Sequence, residues 1–425
     1  MTLAISSTEG RRPLYVYMQV PSTDTWLTVG AYWKDRENAT GRFKYAPSYE
    51  AAGHPWAIDP INLARQQAPG HVYTCNRYQG LHDVLRDACP DAWGQAVLRK
   101  LHGLPSNAPM LAYLKAASNA DRWGALAVGS TAKPSIAALA TPKLPKLQAV
   151  VIELQAMAAR KPAVDPALRA RLQQTPSLGG ARPKATVQDH HGQYWLVKPL
   201  VANDTANIPM LEHFAQSWGL ECGMRFAKTV YHEPGDGHAA VRVLRFDRHK
   251  SRRTLCISAA SLLQVEFPGG TIPPAVPSYP RLAGQLRLIG APAEDGIELF
   301  ERMVFNALCG NDDDHPRNHA AIYDPEAHRW RLAPAFDVVP NPDTTPTHLA
   351  MGLSLNSSQI SANNLLQHAL QFGFESNAHA LKHLHSFVDR VKAGFEATQH
   401  LLEHSMAQMM KERLTQTSRA LTQKI

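Results

Sequence analysis

Between residues 14 and 50 apolar and polar positions alternate, in LYVYMQV and WLTVGAYW, and the run closes in the aromatic GRFKYAPSYE. Alternation with period two between turn residues predicts strands, so a small sheet opens the chain. At LHDVLRDACPDAWGQAVLRKLHG (81–103) the spacing becomes helical, with Val84, Leu85, Trp93 and Leu98 facing inward and Pro90 and Asp91 placed to start a second helix. Residues 130–146, rich in Ala, Ser, Pro and Lys, read as a connector. LQAVVIELQAMAAR then predicts a helix of about four turns. Strands return with KATVQ, a hairpin turn from Asp189 to Gly192, and YWLVKPL. A helical piece at 208–218 precedes the strand-like AKTVYH and AAVRVLRFDRH. Beyond 255 the pattern predicts helix almost throughout, with Pro-rich loops at 268–280 and 333–346 and last helices near 379–403 and 405–423. No internal repeat is present. The patterning predicts an α+β chain in three parts: a sheet domain over 1–135, a small sheet lobe over 136–250 and a larger helical lobe over 251–425.

Composition narrows the class without changing this picture. At 425 residues, with 44% apolar and 19% charged positions, the chain has an ordinary globular balance and can bury substantial cores. No stretch approaches the ~20 apolar residues needed to span a bilayer, and MTLAISSTEGRR lacks the apolar core of a signal peptide. The five cysteines are scattered and form no CxxC pair, which argues against a disulfide framework or a structural zinc site. A soluble, cytoplasmic protein with reduced thiols and no membrane partner is expected. The net charge of +8 permits contact with acidic surfaces or nucleic acid and equally serves solubility alone.

Candidate chemistry concentrates in CGNDDDHPRNHAAI (309–322). Ile297, Phe300, Val304 and Leu308 fall on one face of a preceding helix, so a buried helix should deliver this loop to a fixed place. The loop contains Asp313-x-x-x-x-Asn318, and Asp337 follows nineteen residues later in LAPAFDVVP. Phosphoryl transfer needs a carboxylate to take the proton of an attacking hydroxyl, and hard oxygens to hold Mg²⁺ on nucleotide phosphates. Asp313 suits the first part, Asn318 and Asp337 the second. Three duller readings compete. A solvated acidic turn remains open. An EF-hand loop counted from Asp312 needs Gly and Glu where Arg317 and Tyr323 stand. His315 and His319 are spaced like a zinc pair, but Pro316 occupies the place of the glutamate in HExxH.

A phosphate cradle would strengthen the nucleotide reading. SLGGARPKA (177–185) places Gly179 and Gly180 before a hairpin, where glycine lets backbone N–H groups approach an anion, and Arg182 and Lys184 add positive charge. Lys198 ends an apolar strand beside that loop, and either meets phosphates or lies on a solvent face. In VRVLRFDRH, Phe246 either stacks on a base or packs in the core. Asp247 either serves the ribose and metal or pairs with Arg245 or Arg248. Glu212 is the nearest helical acid that would orient Lys198.

In order and spacing, SLGGARPKA, WLVKPL, LRFDRH, CGNDDDHPRNHAAIYD and LAPAFDVVP resemble the HipA-type serine/threonine kinases, toxins of bacterial toxin–antitoxin pairs. GRFKYAPSYE and LRDACPDAWGQAVLRK are similar to the amino-terminal subdomain of that family. The resemblance implies a bilobal, protein-kinase-like α+β fold, with 1–135 as the amino-terminal subdomain, 136–250 as the small lobe and 251–425 as the catalytic lobe. It implies Asp313 as catalytic base and Asn318 and Asp337 as magnesium ligands. Gly179, Gly180, Ala181, Lys184 and Lys198 would lie on the ATP phosphates, with Phe246, Asp247 and His315 also at the nucleotide. Ser177 falls where the family carries an autophosphorylated serine. The implied partners are a protein substrate, such as an aminoacyl-tRNA synthetase, and a helix-turn-helix antitoxin of HipB type, with DNA reached through that pair. A non-toxic or small-molecule kinase, and an inactive nucleotide-binding corepressor, are the alternatives. The chain departs from the pattern at Leu244, where an acid is usual, at Asn207-Ile208, where Asn-Glu is usual, and at Arg317, where Lys is common.

Overall fold

The computed structural model describes residues 12–35, 39–65, 67–174, 180–268 and 277–422. It divides into two compact units. One comprises residues 1–147, 163–194 and 247–257, the other 148–162, 195–246 and 258–425, so residues 136–250 are shared between both.

The alternating segments at the front of the first unit form the strands β1 (Leu14–Gln19), β2 (Trp26–Lys34) and β3 (Gly41–Tyr45), joined by β4 (Val72–Cys75) and β5 (Leu126–Gly129). They pair antiparallel in the order β4-β3-β2-β1-β5. Val16 to Gln19 and Val29 to Tyr32 are buried at every position, so β1 and β2 are covered on both faces rather than on the one face that period-two alternation implies. Helical spacing at 81–103 resolves into two helices, Asp83–Asp87 and Ala92–His102. Asp91 caps the second by accepting from Gly94 N. The Asp189–Gly192 turn closes as predicted, with Gly192 at φ +81° and Asp189 N donating to Gln193 O at 3.0 Å.

In the second unit Ala240–Leu244 is flanked by two antiparallel partners, the Tyr194–Pro199 strand (from Trp195) and Thr229–His232. Helix Ile208–Glu221 packs on this sheet and against Asn377–Thr398. The core is centred on the fully buried Trp218, whose ring meets Phe214, Phe305 and Phe395 and whose Nε1 donates to Val391 O at 2.8 Å. Helix Ala293–Cys309 runs through this core with Phe300, Val304 and Leu308 fully buried and Ile297 partly so. The last helices span Asn377–Thr398 and His404–Thr422. One expectation fails. Instead of helix after the acidic loop, Ala320–Asp324 and Arg329–Leu332 form an antiparallel hairpin. Tyr323 faces Trp330 across it with ring centroids 5.7 Å apart, the kind of cross-strand pair that outweighs weak helical spacing in so short a segment. Mixed helices and antiparallel sheets make the fold α+β.

Candidate active site

Lys198 lies on the strand Tyr194–Pro199, opposite Val241, with Trp195 and Val197 buried beside it. Its ammonium is buried too, and burial without a partner would be costly. Two carboxylates supply that partner. Nζ stands 2.7 Å from Glu212 Oε1 and 2.6 Å from Asp337 Oδ1. Burial alone would lower the lysine pKa, but Asp337 and Glu212 outweigh it and hold the group above its usual range. Glu212 sits in the helix Ile208–Glu221, whose N-terminus Asn207 caps by accepting from Met210 N, and it also accepts from Gln216 Nε2 at 3.2 Å. The departure at Asn207-Ile208 therefore leaves a carboxylate at the lysine, delivered one helical turn later.

Asp337 belongs to a segment with no regular structure and has φ +59°, a left-handed conformation that costs a non-glycine residue on the order of 1–3 kcal/mol. The neighbouring backbone holds it there. Ala335 N donates to Arg225 O and Ala227 N to Ala335 O, both at 2.8 Å.

The acidic loop follows the left-handed C-cap Gly310 (φ +79°) of helix Ala293–Cys309. A Cβ at Gly310 would meet Arg413 Nη1 at 2.5 Å, so glycine is required there twice over. The three acids have three different fates. Asp312 accepts from Asn341 Nδ2 at 2.9 Å. Asp314 is buried on His319 Nε2 (2.9 Å) and on the Tyr279 hydroxyl. The carboxylate of Asp313 has no hydrogen-bond partner among the described residues. Burial raises its pKa, His315 lowers it, and the charges of Asp337 and Asp312 raise it further. Asn341 N donates to Gly310 O at 2.8 Å and Val339 N to Asn311 Oδ1 at 3.4 Å, which sets the loop against the segment that carries Asp337.

Asn318 N donates to His315 O and Asn318 Nδ2 to Asp313 O, at 2.8 and 3.1 Å. Its amide nitrogen is thus committed, and the side-chain oxygen is the end left for a cation. His315 packs against Phe267, with centroids 4.6 Å apart, and Arg317 Nε donates to Phe267 O at 2.5 Å. Phe246, half-buried, lies against Phe336 with centroids 5.3 Å apart.

Lys198, Glu212, Phe246, Asp313, His315, Asn318 and Asp337 therefore share one unit. Gly180, Ala181, Lys184 and Asp247 belong to the other. There Gly180 has φ +83°, Lys184 Nζ lies 3.1 Å from Asp91 Oδ2, and Asp247 Oδ2 accepts from Gly124 N at 3.0 Å. Ser177 and Gly179 lie outside the described residues.

A family profile described as the HipA-like C-terminal domain matches residues 176–415, more than half of the chain. The chain belongs to the HipA family. Its fold matches HipA of Shewanella oneidensis MR-1, solved with HipB and operator DNA, at a TM-score of 0.69 and 17% identity over 96% of both chains. At that identity the correspondence is one of fold. The Helicobacter pylori proinflammatory kinase CtkA aligns at a TM-score of 0.41 and 12% identity, covering 56% of this chain and 91% of that one. No curated protein sequence matches. Among the described residues no helix is long and apolar enough to cross a membrane.

Sequence reasoning about this HipA-family site missed Asn341, Tyr279 and Arg413. Arg413 Nη1 donates to Cys309 O at 3.2 Å, and Nη2 to Asn341 O and Thr344 O at 2.7 and 2.6 Å. These residues hold the loops rather than carry the chemistry, and no spacing rule marks them.

Proposed function

We propose that this HipA-family chain is an ATP-dependent serine/threonine kinase that transfers the γ-phosphate to a protein hydroxyl. The observation that carries this reading is Lys198, buried between Glu212 and Asp337, three side chains from three separate elements. An ammonium fixed in this way meets nucleotide phosphates without further rearrangement of its own side chain.

Asp313 would take the proton of the acceptor hydroxyl. Its environment favours that role, since burial and neighbouring acids make the carboxylate a stronger base than a solvated aspartate. Magnesium suits the donor set. The described residues offer no cluster of three His, Cys, Asp or Glu side chains, but a nucleotide-bound Mg²⁺ needs only one or two protein oxygens beside the phosphates. Asn318 and Asp337 would supply them, and the ion would neutralise charge on the transferred group. Autophosphorylation at Ser177, five residues before Arg182 in the sequence, would add a dianion to the glycine-containing segment, the modification the family resemblance implies.

The S. oneidensis HipA was solved with HipB and operator DNA, which supports a helix-turn-helix antitoxin as partner here, with DNA reached through that complex. A translation factor such as an aminoacyl-tRNA synthetase is the proposed acceptor class. Incubation with Mg-ATP followed by intact-mass measurement tests the reading. A phosphate on wild type and none on Asp313→Ala supports it. A chain that binds ATP without labelling itself or any cellular protein is a nucleotide-binding corepressor instead.

A further inference from the structure

Beneath the acidic loop lies a group of buried polar side chains that the phosphotransfer reading does not use. Asp314, His319, Tyr279, Asn306 and Asn311 are each at most 3% exposed. Asp314 Oδ2 is the shared acceptor of the group, taking hydrogen bonds from His319 Nε2 at 2.9 Å and from the Tyr279 hydroxyl. The Tyr279 oxygen in turn accepts from Asn306 Nδ2 at 3.0 Å, and Asn306 Oδ1 accepts from Asn311 Nδ2 at 3.1 Å. Asn311 Oδ1 faces Val339 N at 3.4 Å, two residues beyond Asp337. The chain of bonds starts on one side of Asp313, passes through helices Tyr279–Leu288 and Ala293–Cys309, and ends on the segment that carries Asp337.

A buried carboxylate is expensive unless it is hydrogen-bonded, and Asp314 takes two such bonds, while Nδ1 of His319 is buried without a partner among the described residues. Asp314 and His319 flank the functional positions directly: Asp313 precedes Asp314, and Asn318 precedes His319. Fixing Asp314 and His319 by side-chain bonds into the core fixes Asp313 and Asn318, their immediate neighbours on the N-terminal side, through the backbone. We propose that Tyr279, Asp314 and His319 are positioning residues, forming a buried carboxylate–imidazole–phenol cluster that sets the spacing of Asp313 and Asn318 against Asp337. The catalytic importance of that spacing rests on the kinase reading. The rigidity of the loop does not.

The test pairs amide hydrogen exchange of the full chain with the rate of self-phosphorylation in Mg-ATP. Tyr279→Phe deletes one O–H. His319→Gln keeps a donor at the Nε2 position, whereas His319→Phe keeps the ring and loses the donor. For Tyr279→Phe and His319→Phe, amides 311–319 should exchange on the order of tenfold faster, the scale of one lost hydrogen bond to a charged group, while helix Asn377–Thr398 exchanges as in wild type. Maximal phosphorylation rate should fall about as much, with the half-saturating ATP concentration changed less than about twofold. His319→Gln should restore both. Equal exchange of 311–319 in folded Tyr279→Phe and His319→Phe overturns the proposal, as does a loss spread evenly over the whole unit. If the wild type transfers no phosphate, the kinase reading falls and the exchange data still decide on the cluster.

Discussion

Lys198 and Glu212 meet inside the protein, Nζ to Oε1 at 2.7 Å, one from a strand and the other from the helix that follows it. Neither is accessible enough for water to replace the other. Lys198→Met should therefore leave Glu212 a buried acid without its cation and cost about 3–5 kcal/mol, whereas Glu212→Gln, which keeps a hydrogen-bonding oxygen, should cost less. Urea unfolding midpoints for the two variants check the order.

Asp313→Asn removes the proposed base without changing its size. Phosphate transfer should fall on the order of 10²–10⁴-fold while ATP affinity changes little. Mass labelling over time and ATP binding by calorimetry separate the two effects. An equal loss in both would move Asp313 from chemistry to binding.

Asn318→Ala deletes one proposed magnesium oxygen and the bond to Asp313 O. The concentration of Mg²⁺ giving half-maximal labelling should rise on the order of tenfold, the lower end of what ligand-sphere changes cost. Chelation with EDTA should abolish labelling in wild type. Titration with Mg²⁺ at fixed ATP is the measurement.

A stability effect with a defined sign sits in the first unit. Asp59 is fully buried, and burial raises its pKa to about 7 against the pull of its hydrogen bonds from Asn62 and Ile61. A carboxyl whose folded pKa is raised binds its proton more tightly folded than unfolded. Its contribution is complete below pH ~4 and is lost as pH rises towards 7, a change of roughly 3–5 kcal/mol. His82 acts in the opposite sense, since burial lowers its pKa to about 4. The informative quantity is thus the wild-type minus Asp59→Asn difference in unfolding free energy between pH 4 and 8. It should fall with pH.

The same contrast between local and distant causes explains what the sequence could disclose. Strand alternation at 14–50 and the helical face of 293–309 are statements about one segment each, and the structure forms strands and a helix there. Lys198, Asp313, Asn318 and Asp337 could be singled out because each sits at a fixed spacing inside a short motif. Glu212 could only be suggested, since its contact with Lys198 depends on how the helix Ile208–Glu221 rotates against the sheet. Tyr279 and Arg413 lie 35 and 104 positions from the atoms they bind in the loop region, Asp314 and Cys309. No local pattern encodes such pairings. The hairpin 320–332 was hidden for a different reason: nine strand residues with two alanines carry too weak a signal against helical surroundings.

The Arg413 guanidinium is also a matter of timing. It closes over the carbonyls of Cys309, Asn341 and Thr344, so the two loops of the candidate site depend on a side chain made long after either of them. During synthesis the ribosome releases residues 309–344 well before the helix His404–Thr422 can dock. A nascent chain at that stage carries Lys198, Asp313 and Asp337 but not the clasp that holds the two loops, so the proposed site would be ordered only once helix His404–Thr422 has docked.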